Sequence, residues 1–290
     1  MVKELIVSKK RHLTDADCGS SCNSYDILIT EDTDCYYYDE QGIKQILCKF
    51  RKNVIPKEMS DRIIEIFKKH SMRPNNQRAM ASGGKTMRTA SNNSVSTKLS
   101  QSQISGAFDK AHMSLQKYFP SKVVCRTTAF TRDNIENGRW KEALPFFELI
   151  AKYYEHLAPE HYKRQMAEIK KVNKIYRIGK TPFTTITSNY NWRTFIHKDS
   201  GDYSEGCGNL VVLGKNFKGG YLIFPEFRLG VCVKNSDFLL MDVHQYHANS
   251  QLISDDINFR LSFVCYLRKN MTQCNASKIV NGDLYHYKSS

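Results

Sequence analysis

Six short segments rich in β-branched and aromatic residues follow one another between residues 183 and 268, and they constrain the fold more than any other feature of the chain. Gly, Asn and Asp turns separate them, which is the pattern of successive β-strands. Parallel strands need a crossover of about a dozen residues or more, usually a helix, and the spacers here are too short for one. The sequence therefore predicts a compact β-barrel or sandwich and excludes a parallel α/β fold. The segments are TTITSNYNWRTFIH, GNLVVL, GGYLIF, GVCVK, DFLLMDV and FRLSFVCYL.

The residues before this region carry helical patterns instead. A strand beginning near Phe50 is expected to lead into a helix over Ser60–His70, with the Ser60 side chain as its N-cap. Apolar residues recur at helical spacing across Ala107–Phe119. A longer helical zone covers Arg139–Tyr176 and is interrupted near its proline at position 159. The chain thus predicts helices followed by a β-rich core.

Positive charge exceeds negative charge by a wide margin, with 43 Lys and Arg against 29 Asp and Glu and a net charge of +14. Such an excess favours a polyanionic partner, most commonly nucleic acid, although basic residues can also serve solubility alone. Residues 73–106 have the composition of a long loop that can track phosphates, and the helical zone has either a solvated or a phosphate-contacting basic face. The basic residues concerned are Arg73, Arg78, Lys85 and Arg88 in the loop, and Lys152, Lys163, Arg164, Lys170, Lys171, Lys174 and Arg177 in the zone.

The cysteines and the apolar segments indicate the compartment. No stretch approaches ~18 uninterrupted apolar residues and no signal peptide is recognisable, so we expect a soluble intracellular protein without membrane contact. Nine cysteines are an odd number, and without a secretory signal we expect reduced thiols. Cys18, Cys22 and Cys35 are close enough for a small zinc site, but no second close-spaced couple follows. Free thiols in an N-terminal extension are the preferred interpretation.

The end of the first β-rich segment carries the first candidate chemistry. Residues two apart on a strand point to the same face, so His197 and Asp199 can grip one metal ion. His244 and His247 follow a later strand, and either can supply a third ligand. Two histidines and one carboxylate leave three positions open, which is the arrangement of non-haem iron(II) oxygenases. Those positions can take two oxygens of 2-oxoglutarate and one dioxygen.

An Arg-x-Ser pair lies on the next strand, with Arg260 at 13 positions beyond His247. Arginine binds a carboxylate in two places and keeps its charge, and Ser262 points the same way and offers a hydroxyl. By the same alternation, Asn189 and Arg193 share the face of the candidate ligands, where they either meet 2-oxoglutarate or substrate or form a polar network. Each residue alone has a purely structural interpretation. Their joint order and spacing favour the metal site.

These motifs together resemble the TET/JBP family of nucleic-acid dioxygenases, most nearly its compact viral, phage and lower-eukaryote members. The resemblance covers about residues 123–270, and residues 50–122 loosely, and is carried by TTITSNYNWRTFIHKDSGD, GGYLIFPEF, DFLLMDVHQYHAN and RLSFVCYLR. It implies an α+β fold, a double-stranded β-helix (the jelly-roll or cupin-like barrel) with supporting N-terminal helices. The expected divisions are an extension of unknown role over 1–48, the dioxygenase domain over 49–271 with helical support over 49–181 and a barrel core over 182–271, and a tail over 272–290.

The resemblance also implies roles for single residues. It makes His197, Asp199 and His247 the iron ligands and Arg260 the 2-oxoglutarate arginine. His247 is preferred to His244 because, as in the family pattern, an aromatic residue precedes it and a small residue and an asparagine follow it. Beside the arginine, the expected contacts to 2-oxoglutarate are Ser262 and Asn189.

The implied reaction oxidises the methyl group of a pyrimidine in DNA, 5-methylcytosine to 5-hydroxymethylcytosine or thymine to 5-hydroxymethyluracil. It would use Fe(II), 2-oxoglutarate and O2, with ascorbate as a possible reductant, on a base rotated out of the duplex. A DNA partner implies a nuclear, nucleoid or viral-DNA-associated location. One alternative is a protein or small-molecule hydroxylase on the same barrel, because fold does not fix function. The other is a nucleic-acid-binding protein without catalysis, which would lack a ligand or the arginine, and neither is missing.

Overall fold

The computed structural model describes residues 2–71, 81, 100–104, 117–120, 123–125, 127–128, 130–131 and 138–289. No helix within these ranges combines the length and the apolar character that a membrane span requires. The helices are α1 (Lys57–Ser71), α2 (Arg139–Leu157) and α3 (Pro159–Ile169). The strands are β1 (Lys3–Ile6), β2 (Ile27–Ile29), β3 (Thr33–Tyr38), β4 (Lys44–Arg51), β5 (Ser100–Ile104), β6 (Val124–Cys125), β7 (Thr185–Tyr190), β8 (Gly208–Gly214), β9 (Lys218–Gly219), β10 (Leu222–Phe224), β11 (Leu229–Val231), β12 (Asp237–Met241), β13 (Ala248–Asn249), β14 (Leu252–Ile253), β15 (Arg260–Tyr266), β16 (Ala276–Val280) and β17 (Asp283–Tyr287).

The chain forms two compact units, which are called the first and the second unit below. The division falls inside strands β5, β7 and β15, so each of these strands contributes residues to both units. The first unit comprises Met1–Ser102, Ser188–Ser200 and Gly208–Phe263, and the second comprises Gln103–Thr187, Gly201–Cys207 and Val264–Ser290.

Strand β12 lies at the centre of the sheet part of the first unit. The large sheet has the order β1-β3-β4-β12-β8-β15-β7-β5, and β12 pairs antiparallel with β4 on one side and β8 on the other. Its middle residues Phe238, Leu239 and Leu240 are fully buried, which explains the uninterrupted apolar run in this segment. A second sheet has the order β13-β10-β11-β2, and β14 pairs with β9. Both sheets are mixed, because β1 runs parallel to β3 and β2 runs parallel to β11.

The first 48 residues supply strands to both of these sheets. Strands β1, β3 and the start of β4 belong to the large sheet, and β2 pairs with β11 in the smaller one. In β3 the residues Thr33, Cys35 and Tyr37 are buried and alternate with partly or fully exposed neighbours, as one covered face requires. The structure thus builds this segment into the first unit, while the boundary expected at residue 48 stays a prediction.

The second unit contains α2 and α3 and a three-stranded sheet of the order β16-β17-β6. A disulfide between Cys125 and Cys274 lies in its core, so the expectation of reduced thiols is wrong for these two cysteines. They are 149 residues apart, and sequence spacing gave no sign of the pair. The imidazole of His286 on β17 joins the same region through Tyr176 Oη, 2.7 Å from Nδ1, and Asn173 Nδ2, 3.0 Å from Nε2.

All six predicted β segments contain strands, namely β7, β8, β10, β11, β12 and β15. The helical zone of residues 139–176 is also confirmed, with its break between Leu157 and Pro159. Helix α1 begins at Lys57 rather than Ser60, because the Ser60 amide already donates to the Pro56 carbonyl within the first turn. The expected loop over 73–106 and helix over 107–119 fall mostly outside the described residues.

Candidate metal centre

Three side chains from two segments of the first unit converge. The ligand atoms of His197, Asp199 and His247 all lie within 4.8 Å of one another. One oxygen of Asp199 is 3.7 Å from His197 Nε2 and the other is 3.6 Å from His247 Nε2. Two ligands bound at ~2.1 Å to a shared ion are at most ~4.2 Å apart, so both separations fit one ion. Both histidines are buried, and the Asp199 side chain is 27% exposed.

Backbone hydrogen bonds bring the two segments together. The His197 amide donates to the His247 carbonyl at 3.1 Å, and the His247 amide donates back at 3.0 Å. The Asp199 amide donates to the Val243 carbonyl at 3.0 Å. This isolated antiparallel pairing, rather than a long strand, aligns the three side chains. The prediction that the strand continues to His197 is wrong, because β7 ends at Tyr190 and the next residue has a φ of 49°.

Each histidine is oriented by the carbonyl two residues before it. His197 Nδ1 lies 2.6 Å from the Phe195 carbonyl oxygen, and His247 Nδ1 lies 3.0 Å from that of Gln245. A carbonyl oxygen only accepts, so Nδ1 carries the proton and donates in both rings. The Nε2 lone pairs are therefore left for a metal ion, which is the usual way a second hydrogen bond fixes a ligating imidazole.

His244, the alternative third ligand, is not part of this cluster. Its amide donates to Asp242 Oδ1 in the turn that leads to His247. The same carboxylate accepts at its other oxygen from Tyr37 Oη and Gln245 Nε2, at 3.1 Å each. These bonds hold the turn, so the position of His247 depends on a tyrosine from β3.

A second polar group of the first unit surrounds the buried guanidinium of Arg260. Its Nη1 donates to Ser262 Oγ at 3.0 Å, and the same oxygen lies 3.4 Å from Asn189 Nδ2. All three predicted residues therefore form one polar row, and each is at least 96% buried. Arg260 Nε is buried without a hydrogen-bond partner, and no carboxylate in the described ranges pairs with the guanidinium.

Burial has an electrostatic consequence for this arginine. Desolvation alone lowers the pKa of Arg260 to about 10. A buried cation without a counter-charge is costly, and an anion delivered to it would recover that free energy. Gly220 gives the side chain its space, because a Cβ there would lie 3.2 Å from Arg260 Cδ and 3.4 Å from Nε. Its φ of +67° disfavours other residues as well.

The Arg193 guanidinium is part of a polar network, one of the two alternatives that the sequence left open. Its Nε donates to the Asn249 carbonyl at 3.2 Å and its Nη2 to Asn23 Oδ1 at 3.0 Å. The side-chain alternation that grouped it with Asn189 stops at Asn191, where φ becomes positive. Asn191 instead accepts from the Arg260 amide through its side chain at 2.8 Å.

Sequence reasoning missed the N-terminal residues around the metal segment. The Gly19 amide donates to the Ile196 carbonyl and the Ile196 amide donates to the Ser20 carbonyl, both at 2.9 Å. Tyr246, which precedes the third ligand, donates from its hydroxyl to Asp15 at 3.0 Å. Cys18 and Cys22 are buried in an apolar cluster with Ile196, Ile223, Tyr246 and Ala248. A polar segment without periodicity gave no signal of these contacts.

Comparison with known proteins identifies a family and several relatives of this chain. The family model of the TET/JBP oxygenase domain of the 2OGFeDO superfamily matches residues 110–269. Over 153 residues the chain is 35% identical to the bifunctional helicase and thymine dioxygenase JBP2 of Leishmania tarentolae, an alignment that covers 52% of this chain and 14% of that protein. It is 34% identical over 154 residues to the thymine dioxygenase JBP1 of Trypanosoma brucei brucei, covering 51% and 18%. The chain thus aligns with less than a fifth of either relative.

A solved structure shares the fold. NgTET1 in complex with 5mC DNA superposes with a TM-score of 0.59, covering 94% of this chain and 83% of that one. At 15% identity this likeness concerns the fold alone. The family match includes His197, Asp199, His247 and Arg260, the four residues that the geometry groups into a metal cluster and a buried cation. The chain belongs to the TET/JBP family of 2OGFeDO oxygenase domains.

Proposed function

We propose that this protein is an Fe(II)- and 2-oxoglutarate-dependent dioxygenase that oxidises the methyl group of a pyrimidine base in DNA. The observation that carries the enzyme class is the pairing of a His-Asp-His cluster with a buried arginine whose Nε has no partner. The cluster suits a metal ion and the arginine suits a carboxylate. The two relatives carry thymine dioxygenase in their names, which supports the substrate class.

The ligand set fits iron. His197, Asp199 and His247 offer two imidazole nitrogens and a carboxylate oxygen, the set that non-haem iron(II) oxygenases use with positions left open. The hydrogen bonds at both Nδ1 atoms present the Nε2 lone pairs. We assign these three residues as the iron ligands.

The arginine row fits 2-oxoglutarate. Arg260 would bind the distal carboxylate, with Nε and the guanidinium edge completing the hydrogen bonding that the protein leaves open. Ser262 Oγ accepts from Arg260 and so keeps the guanidinium in one orientation, and Asn189 supports Ser262 in turn. Bound Fe(II) and 2-oxoglutarate would supply the oxidising chemistry, in which O2 gives one oxygen atom to succinate, formed with loss of CO2, and the other to the methyl carbon. The protein side chains bind, orient and exclude water.

The distribution of charge supports a DNA partner. The first unit carries 24 Lys and Arg against 18 Asp and Glu over its whole sequence, a net of +6. The second unit carries 19 against 11, a net of +8. Lys163, Lys170, Lys171 and Lys174 are exposed on α3 and the turn after it. Four exposed lysines within twelve residues form a local basic surface, which favours a phosphate-binding face over general solubility.

The finer fold is part of the same proposal. From β8 to β15 the chain alternates between the large sheet (β8, β12, β15) and the smaller one (β10, β11, β13). This alternation supports a double-stranded β-helix of the jelly-roll type, in which two facing sheets take turns along the chain. A DNA substrate would also place the protein in a nucleus, a nucleoid or beside viral DNA.

Nucleoside mass spectrometry tests the proposal. Duplexes with and without 5-methylcytosine are incubated with the protein, Fe(II), 2-oxoglutarate, ascorbate and 18O2, then digested. We expect one 18O atom in 5-hydroxymethyluracil or 5-hydroxymethylcytosine, and the product identifies the base. Asp199→Ala is the control and should give neither product. Succinate formation stimulated by a peptide or a metabolite, and never by nucleic acid, would keep the enzyme class and refute the DNA substrate.

A further inference from the structure

We propose that Asn249 is a positioning residue that couples the metal segment to the 2-oxoglutarate arginine. This inference rests on the proposed function, because it concerns how the two halves of that site keep their relative geometry. Asn249 lies in β13, two residues after His247, and is 5% exposed. Its side-chain amide bonds in two directions, each leading to a different half of the site.

The oxygen of the amide holds the segment that leads to the first two iron ligands. Asn249 Oδ1 accepts from Thr194 Oγ1 at 2.7 Å and from the Thr194 amide at 3.4 Å. The Asn249 amide donates to the Thr194 carbonyl at 2.9 Å. Thr194 stands three residues before His197 and lies beyond β7, which ends at Tyr190. These bonds support the metal segment on its N-terminal side, next to the bonds of Ile196 with Gly19 and Ser20.

The nitrogen of the same amide reaches the arginine. Asn249 Nδ2 donates to the Gly220 carbonyl at 3.3 Å. Gly220 is the residue whose missing side chain makes room for Arg260 Cδ and Nε. A shift of the Gly220 backbone would therefore change the space around the guanidinium.

The amide has one orientation in which both ends are satisfied. The hydroxyl and amide of Thr194 are donors and require Oδ1, while the Gly220 carbonyl is an acceptor and requires Nδ2. Arg193 Nε donates to the Asn249 carbonyl and fixes the backbone as well. A buried side chain that bonds to both halves through different atoms can be disconnected from one half at a time.

Separate substitutions can remove the bond at the Oδ1 end or at the Nδ2 end of the Asn249 amide. Thr194→Val removes the hydroxyl donor at nearly constant volume and acts on the metal side, and Thr194→Ser restores the donor. Asn249→Asp keeps an acceptor for Thr194 but replaces Nδ2 with a second oxygen facing the Gly220 carbonyl, so it acts on the arginine side. Thr33→Val is the matched control, since Thr33 is a buried threonine in β3 whose hydroxyl donates to the Glu31 carbonyl.

The measurements are Co(II) affinity by absorption spectroscopy and 2-oxoglutarate affinity by calorimetry at saturating Co(II), with circular dichroism to establish folding. Loss of a group that orients a metal ligand typically costs ~10–100-fold in affinity. We expect Thr194→Val to weaken Co(II) binding by about 10-fold with 2-oxoglutarate affinity unchanged, and Thr194→Ser to restore it. We expect Asn249→Asp to weaken 2-oxoglutarate binding by about 10-fold or more with a smaller effect on Co(II).

The outcomes separate this inference from the proposed function. A wild-type protein that binds neither Co(II) nor 2-oxoglutarate would refute the proposed function itself. A wild-type protein that binds both, with folded Thr194 and Asn249 variants that match it or lose both affinities equally, would refute the coupling role. If Asn249→Asp does not fold, Thr194→Val against Thr194→Ser and Thr33→Val decides the question alone.

Discussion

Replacing Arg260 with methionine should stabilise the ligand-free protein while abolishing 2-oxoglutarate binding. Burial lowers the pKa of Arg260 from 12.5 to about 10, which corresponds to about 3 kcal/mol of desolvation cost. Because the folded state binds this proton less tightly than the unfolded state, stability rises with pH between about 10 and 12.5, and the whole cost is present at neutral pH. The bond from Nη1 to Ser262 returns about 1 kcal/mol. Its removal leaves Ser262 Oγ close to Asn189 Nδ2, so the net gain for Arg260→Met is about 2 kcal/mol.

Urea unfolding of the metal-free protein measures this gain, and a thermal shift with 2-oxoglutarate and Co(II) measures the loss of binding. Wild type should be stabilised by about 2.7 kcal/mol at a ligand concentration ~100-fold above Kd, and Arg260→Met should not respond. Arg193→Met is the matched control. Its guanidinium is partly buried but bonded to Asn249 and Asn23, so its removal should destabilise the protein. If Arg260→Met instead lowers the free energy of unfolding by more than about 2 kcal/mol, the arginine is a structural residue and the prediction is wrong.

Three further outcomes are expected. His247→Ala should weaken Co(II) binding by more than ~100-fold while His244→Ala changes it little, and titrations in the reverse order would move the third ligand to His244. Burial lowers the pKa of His286, so the folded state binds the imidazole proton less readily than the unfolded state, and the free energy of unfolding should fall as pH drops below 6.5. His286→Gln should flatten this pH dependence of stability, and a variant with the wild-type dependence would contradict the prediction. If the exposed lysines of the second unit belong to a surface that binds about five phosphates, the log–log slope of DNA affinity against salt concentration should be about −4.5. Replacing Lys170 and Lys171 together should make this slope shallower by up to about 2, and an unaltered slope would exclude these two lysines as phosphate contacts.

The sequence predicted the β core because its strands are buried on their inner faces and bounded by turn residues. Each of the six segments contains a strand, and the break of the helical zone follows from Pro159, which begins α3. It did not predict the strands of the first 48 residues. Strand β3 has only three inward residues, Thr33, Cys35 and Tyr37, and one of them is polar, so its period is too weak to recognise.

The chemistry of the candidate site was predictable because it depends on residue type and order. His197, Asp199 and His247 converge as their spacing implied, and Arg260 is a buried cation on β15. Side-chain alternation does not continue past Asn191, because the positive φ of this residue interrupts the strand pattern, and Arg193 bonds to Asn249 instead. The roles of residues remote in sequence are set by tertiary contacts that no local pattern records.

The central place of β12 bears on how this domain can be cut and exchanged. The family match begins at residue 110, after β4, yet β4 covers one edge of β12 through four residue pairs from Arg51 to Cys48. A fragment restricted to the matched residues would bare that edge along a fully buried apolar strand, and such an edge is a template for aggregation. Chimaeras with longer relatives should therefore carry the residues up to the start of α1, and fragments without them should form insoluble β-rich aggregates rather than a weakly active enzyme.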